Sequence, residues 1–127
     1  MPDPEIPDEV LRFLAEHVES AEQLDALMLL RADPARGWTA EALSQALFSV
    51  PQSAARTLER LQAHGFAAGD GASPPTYRYA AASAHAALVE RLAEAYRANR
   101  AAVIKQLFAR RADPVRSLAD AFRLRKE

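Results

Sequence analysis

Apolar side chains recur at helical spacing near the start of the chain. Pro7 and the acidic residues Asp8 and Glu9 suit a first helical turn, because proline needs no hydrogen bond there and acids favour the positive end of the helix dipole. The pattern predicts a first helix over residues 8–18. The residues that show this spacing are Ile6, Val10, Phe13, Leu14 and His17.

A second helix is predicted over residues 20–31. Ser20 and Gln23 have the S-x-x-Q spacing of a capping box, in which the serine side chain accepts a hydrogen bond from the backbone three residues later. The positions that follow are apolar around most of the helix, so we expect this helix to be the buried centre of the fold. Those positions are Leu24, Leu27, Met28, Leu29 and Leu30.

Two short helices separated by a tight turn are predicted next, after a breaker-rich connection over residues 31–37 and a short strand at Trp38. Thr39 can cap a helix over residues 39–47, and Ser49 opens a second S-x-x-Q segment that begins a helix over residues 50–64. The apolar residues of the first are Leu43, Ala46, Leu47 and Phe48, and those of the second are Ala54, Leu58 and Leu61. Gly65 is expected to end the second helix in a left-handed conformation.

The rest of the chain predicts a hairpin and then more helix. Segments 66–68 and 76–80 flank a loop rich in glycine and proline, and a long run without either residue predicts one helix over 84–109. A short final helix would begin at Asp113-Pro114. The expected fold class is mainly α with a small β-hairpin, divided into residues 1–82 and a helical extension over residues 83–127.

Composition limits the classes of function. A chain of 127 residues, 50% of them apolar, can build one core, and the absence of cysteine excludes disulfides and thiolate metal sites. The N-terminus does not have the pattern of a secretory signal, and no apolar run approaches the roughly 18 residues of a membrane span. We therefore expect a cytoplasmic protein without membrane contact. Residues 1–50 hold ten acidic and three basic side chains, whereas residues 80–127 hold five and ten.

The segment from the second helix to the hairpin resembles the winged helix-turn-helix superfamily, which includes bacterial regulators of the MarR and ArsR kinds. The residues that carry the resemblance are Trp38-Thr39-Ala40-Glu41-Ala42-Leu43, the run from Ser49 to Leu61, and Gly65-Phe66. It covers about residues 20–80. The resemblance implies that the second of the two short helices enters the major groove of DNA, while the hairpin contacts the DNA backbone or minor groove.

The outward face of that helix supplies candidate DNA contacts. With Ala54, Leu58 and Leu61 inward, helical geometry turns Gln52, Ser53, Arg56 and Arg60 outward. Gln and Arg can make bidentate contacts with adenine and guanine, Ser53 could reach a phosphate, and Arg78 could hold the flank. Glu59 and Asp70 oppose DNA binding. The alternative is that Arg56 and Arg60 are surface residues paired with acids.

The C-terminal run has the residue spacing of a seam, the stripe along which one helix packs on another. Val89, Leu92, Tyr96, Asn99 and Val103 are spaced by three, four, three and four residues, and Leu107 continues the apolar surface. We expect this seam to join two copies as a homodimer, with Asn99 as a polar residue that fixes the register. The alternative is that the helix folds back on the first two helices, which would make the seam ordinary core.

Catalytic chemistry is not indicated. His17, His64 and His85 are far apart in sequence and have no metal-binding spacing, and neither a phosphate-binding glycine loop nor a nucleophile motif occurs. We expect no enzyme activity, no cofactor and no metal. The leading hypothesis is a homodimeric DNA-binding transcriptional regulator. The alternative is a winged-helix module that binds another protein and no nucleic acid, and a small-molecule effector stays open for the regulator.

Overall fold

The computed structural model describes residues 6–81 and 83–111. Within these ranges the fold is mainly helical and contains a two-stranded antiparallel hairpin. In chain order the elements are α1 (Asp8–His17), α2 (Ala21–Ala32), α3 (Ala40–Leu47), α4 (Pro51–Ala63), β1 (Ala67–Gly69), β2 (Tyr77–Tyr79), α5 (Ser83–Ala98) and α6 (Arg100–Arg111). The final helix expected from Asp113 lies outside the described residues.

Helix α2 is the buried centre of the fold, as its apolar pattern predicted, and Leu24, Leu27 and Leu30 are fully buried. Its start is capped as expected, since the Ser20 side chain accepts the N–H of Gln23 at 3.1 Å. The Gln23 side chain does not return to Ser20. Its Oε1 accepts the N–H of Glu19 at 2.9 Å and its Nε2 donates to the carbonyl of His17 at 2.7 Å. This buried amide therefore fixes the end of α1 against the start of α2.

Helices α3 and α4 begin in different ways. Thr39 caps α3 as predicted, because its hydroxyl oxygen accepts the N–H of Ala42 at 3.1 Å. The cap expected from Ser49 on α4 is wrong. Pro51 takes the first helical position, which makes Val50 the N-cap residue, and its apolar side chain has no acceptor. The Ser49 hydroxyl instead donates to the Val50 carbonyl at 3.3 Å.

Phe48 does not join the apolar face of α3, contrary to the sequence prediction. It ends α3 in the left-handed region with φ of 55°, and its side chain is 97% exposed. The chain reverses here because Ser49 N–H donates to the Ser44 carbonyl at 2.8 Å. A left-handed residue turns its side chain away from the helix that it ends, and the ring of Phe48 consequently points to solvent.

The hairpin closes on the connection before α3. Gly65 ends α4 with φ of 88°, as predicted, and β1 and β2 pair with Ala67 opposite Tyr79. Trp38 pairs with Tyr77 through two backbone hydrogen bonds of 2.7 and 2.8 Å. The expected short strand at Trp38 is thus a single bridge that holds the hairpin beside the start of α3.

The single helix predicted over 84–109 is wrong. The helix breaks at Asn99 into α5 and α6, and the Asn99 side-chain oxygen accepts the N–H of Ala102 at 3.0 Å. The short asparagine amide competes with the helical backbone and favours an N-terminal cap. Asn99 therefore caps α6, a role that differs from the one in dimer register expected from the sequence.

The residues of the expected dimer seam lie in the core of this chain. Val89, Leu92 and Val103 are fully buried and Leu107 is 1% exposed, in one cluster with residues of α1 and α2. Tyr96 is half-buried and its hydroxyl donates to Asp25 of α2 at 2.8 Å. In this arrangement the four apolar side chains have almost no surface left for a second copy. The alternative, in which the C-terminal helices fold back on the first two, is what the structure shows.

Ion pairs hold these C-terminal helices in position. Arg31 of α2 donates to Glu90 at 2.9 and 2.5 Å. Arg100 of α6 donates to Asp25 at 3.1 and 2.7 Å, and Arg91 pairs with Glu9 of α1. Residues 83–111 consequently share both a core and polar contacts with the first two helices.

A helix long and apolar enough to cross a membrane is not found in the part of the chain that the structure describes.

Candidate nucleic-acid interface

Helix α4 presents a polar face to solvent. Its opposite face is buried through Ala54, Thr57, Leu58 and Leu61, which pack it onto α2 and α3. Gln52 and Arg56 are exposed, as the helical geometry predicted. Arg56 forms no hydrogen bond or ion pair with the residues of 6–81 and 83–111. A long cation and an amide are thus available on the same helix face.

Ser53 has a different position from the one predicted. It is half-buried against α2, and its hydroxyl donates to the Glu22 carboxylate at 2.9 and 3.0 Å. Thr57 Oγ1 donates to the same carboxylate at 2.8 Å. Because its hydroxyl already has an ionised acceptor within the chain, Ser53 is not placed to meet a phosphate. Helix packing turns this residue toward α2, so the phosphate contact expected of Ser53 would require its hydroxyl to leave Glu22.

Arg60 forms an ion pair with Glu19, which lies two residues before the start of α2. Its side chain is 51% exposed and that of Glu19 is 40% exposed. Pairing with an acid of the first fifty residues was the alternative considered for this arginine. Exposed pairs of this kind contribute about 0–1 kcal/mol, so a phosphate could replace Glu19 at little cost. Arg60 is therefore a cation that Glu19 partly neutralises.

One arginine lies on strand β2 and a second lies beside it. Arg78 is exposed, and its Nε donates to the carbonyl of Ala35 at 3.2 Å. The guanidinium of Arg36 lies 3.7 Å from the ring centroid of Trp38, whose backbone pairs with Tyr77 next to Arg78. Arg36 was not among the residues expected from the sequence. The sequence places Arg36 two residues before Trp38. That position indicates a place near Arg78 only when Trp38 is known to pair with the hairpin.

The tip of the hairpin is negatively charged. The Asp70 carboxylate accepts the N–H groups of Thr76 at 3.0 Å and Ala72 at 2.9 Å. These bonds, the one from Thr76 first, lower the pKa of Asp70, so the tip stays ionised. A phosphate would therefore be repelled by Asp70 and attracted by Arg78 on β2 and by Arg36 beside it.

An apolar groove of about 430 Å³ lies between α3, α4 and the hairpin loop. Pro51, Ala55, Pro74, Pro75 and Tyr77 form much of its wall, and Glu41 and Glu59 add acidic groups. Phe48 and Val50, at the turn that leads into α4, are 97% and 59% exposed. The surface around α4 is therefore cationic in one part and apolar in another.

The arrangement of helices and hairpin can be compared with known proteins. No protein-family model and no curated protein matches the sequence. One solved structure is similar. It is the crystal structure of RV1404 from Mycobacterium tuberculosis, with a TM-score of 0.50 over 94% of this chain and 84% of that one. The two sequences are 16% identical, so the likeness concerns the fold alone.

Proposed function

We propose that the chain is a DNA-binding transcriptional regulator in which α3, its turn and α4, together with the hairpin, form a winged helix-turn-helix. The observation that carries the proposal is the polar face of α4. Gln52 and Arg56 are exposed on a helix that is packed through its opposite side, and the adjacent hairpin carries Arg78 on β2 with Arg36 beside it. The similarity to RV1404 supports the fold and not the activity.

In this proposal α4 lies in the major groove. The Arg56 guanidinium can donate to two acceptors of one guanine, and the Gln52 amide, near the helix N-terminus, suits adenine. Arg36 and Arg78 contact phosphates on the flank, which fixes the position of α4 without reading sequence. Arg60 exchanges Glu19 for a phosphate when DNA binds. A helix-turn-helix pair that reads two half-sites requires two copies, so the regulator acts as a homodimer.

The surface that joins the two copies differs from the seam that the sequence suggested. On α6, Phe108 is 52% exposed and Ile104 is partly buried, so this helix retains apolar surface after its own packing. We assign the dimer contact to this outer side of α6. Light scattering of the purified protein measures the oligomeric state directly, and Phe108→Ser should shift a dimer toward monomer.

The DNA-binding proposal is tested by titrating the protein against genomic fragments around its own gene at two salt concentrations. One fragment should bind preferentially, with affinity that falls as salt rises. Arg56→Ala should weaken specific binding by about 1–3 kcal/mol. The matched control is Arg97→Ala, which removes one exposed cation from α5 and should change affinity little. If both variants lose the same amount of DNA affinity, Arg56 contributes only its positive charge and does not read the sequence.

A second function is favoured by the exposed ring of Phe48 and by the apolar groove between α3, α4 and the hairpin loop. An apolar surface of this kind next to α4 suits another protein better than a phosphate backbone. In this alternative the chain is an adaptor that binds a partner protein without nucleic acid. Failure of every fragment to bind at low salt would favour the adaptor over the regulator.

A further inference from the structure

The three histidines of the chain meet at one junction, although the sequence separates them widely. His17 is the last residue of α1, His64 follows the last turn of α4, and His85 lies in the first turn of α5. His17 Nδ1 and His64 Nδ1 are 3.1 Å apart, and the rings of His17 and His85 have centroids 4.9 Å apart. Nothing in their sequence spacing indicated this cluster.

His17 is at the centre of the cluster, between two buried phenylalanines. Its ring centroid lies 5.0 Å from that of Phe13 and 5.4 Å from that of Phe66, and the Phe66 ring is also 5.4 Å from His85. The side chain of His17 is 19% exposed. The three imidazoles therefore bridge the ends of three helices around an aromatic core.

The charged groups around His17 come from α1, α4 and α5. On α1, Glu16 Oε2 lies 3.8 Å from His17 Nε2, and Glu9 and Arg12 line a groove of about 220 Å³ beside the ring. His64 faces it from the end of α4 and His85 from α5. Glu16 is thus the acidic group nearest to His17 in the part of the chain that is described, and its distance exceeds that of a hydrogen bond.

A metal ion does not suit this cluster. Within residues 6–81 and 83–111, no group of three or more histidine, aspartate or glutamate side chains is arranged to hold one. A proton does suit it. The two Nδ1 atoms can share a hydrogen bond only while at least one of them lacks a proton. Once both rings are cationic, two N–H groups face each other and the attraction becomes repulsion.

We propose that His17, His64 and His85 form a proton-sensitive latch, which joins α1, the end of α4 and the start of α5 when its rings are neutral and loosens in mildly acidic medium. The inference does not depend on DNA binding. Burial, then the neighbouring His85 and His64, lower the pKa of His17, and Glu16 opposes them with a smaller effect.

The sign of the pH effect follows from that direction. A histidine whose pKa is lowered by folding binds protons less readily in the folded chain than in the unfolded chain. Its neutral form therefore carries full stability above the ordinary histidine pKa. Stability is lost as the pH falls from that value to the lower pKa of the folded state.

The latch can be tested by urea unfolding at pH 7.5 and 5.5 at constant ionic strength. The folding equilibrium constant of the natural chain should fall between the two pH values, by at most about tenfold for one histidine. His17→Phe keeps an aromatic ring in the cluster and removes its proton site, so most of this difference should disappear. Glu16→Gln should enlarge the difference, because it removes the carboxylate that favours protonated His17.

A second measurement covers the case in which His17→Phe does not fold. The chain has no histidine outside the cluster, so the three imidazole signals in a proton NMR titration all report the latch. At least one signal should titrate at lower pH than in urea-unfolded chain, and the signals should depend on one another. Three independent curves at the unfolded value, or equal stability at both pH values, would overturn the proposal.

Discussion

The hydroxyl of Ser53 donates to the carboxylate of Glu22 at 2.9 Å and thereby joins α4 to α2. The sequence predicts a DNA contact for this serine. A second contact of this kind lies nearby, since Glu19, just before α2, forms an ion pair with Arg60 of α4. Both contacts stabilise the packing of α4. The ion pair with Glu19 also neutralises part of the positive charge that α4 can offer to a polyanion.

Glu19→Gln should raise affinity for DNA. The change releases Arg60 from its ion pair and removes a negative charge beside the expected path of the phosphates, a gain of about 0–1 kcal/mol at low salt. Fluorescence anisotropy with the preferred fragment measures it, with Glu94→Gln on α5 as a control of equal charge. If the control gains as much affinity as Glu19→Gln, the effect is one of net charge and Arg60 has no local role.

Phe48→Gly should stabilise the fold. Left-handed backbone costs a residue with a side chain about 1–2 kcal/mol, and glycine avoids that cost, although it gives up some of the gain through the entropy of the unfolded chain. Since the ring of Phe48 is 97% exposed, no buried contact is lost. Urea unfolding should show a midpoint at or above that of the natural chain. A clear fall would mean that the ring packs in solution.

The same variant also bears on function. A strained, exposed aromatic residue beside α4 is expected where it contacts a partner. Phe48→Gly should therefore weaken binding to whichever macromolecule occupies this face while it leaves the fold intact. If the variant binds the preferred DNA fragment as well as the natural chain does, Phe48 is not part of the surface that contacts DNA.

Asn99→Ala should lower the free energy of unfolding by about 0.5–2 kcal/mol, because α6 loses the side chain that caps its first turn. Asn99→Asp keeps an acceptor at the same position and should retain most of the stability. Urea or thermal unfolding of the two variants makes the comparison. If alanine and aspartate behave alike, the cap contributes nothing and the break between α5 and α6 has another cause.

The sequence predicted most of the local structure and little of how the C-terminal helices pack. Patterns around Ser20, Thr39 and Gly65 are local, because each cap or turn depends on neighbours within a few residues. The heptad-like spacing from Val89 to Val103 only says that one face is buried. It cannot distinguish a second copy from the first two helices of the same chain, and Asn99 fits either a seam or a cap.

The candidate site was predicted unevenly for the same reason. Gln52 and Arg56 follow from helical geometry alone, which turns them away from Leu58. The contacts of Ser53 and Arg60 depend on where acids of α2 lie, and the proximity of Arg36 to Arg78 depends on one bridge between Trp38 and Tyr77. The histidine cluster joins three helix ends that are distant in sequence, and no spacing rule connects them.

The shared core has a consequence for how the chain comes apart. Val89 and Leu107 are buried in one cluster with Val10 and Leu24, so residues 83–111 have no separate interior of their own. A chain cut after residue 82 would leave α1 and α2 with an uncovered apolar face and should aggregate. The intact chain should melt in one cooperative transition, with helix content and the fluorescence of Trp38 lost together.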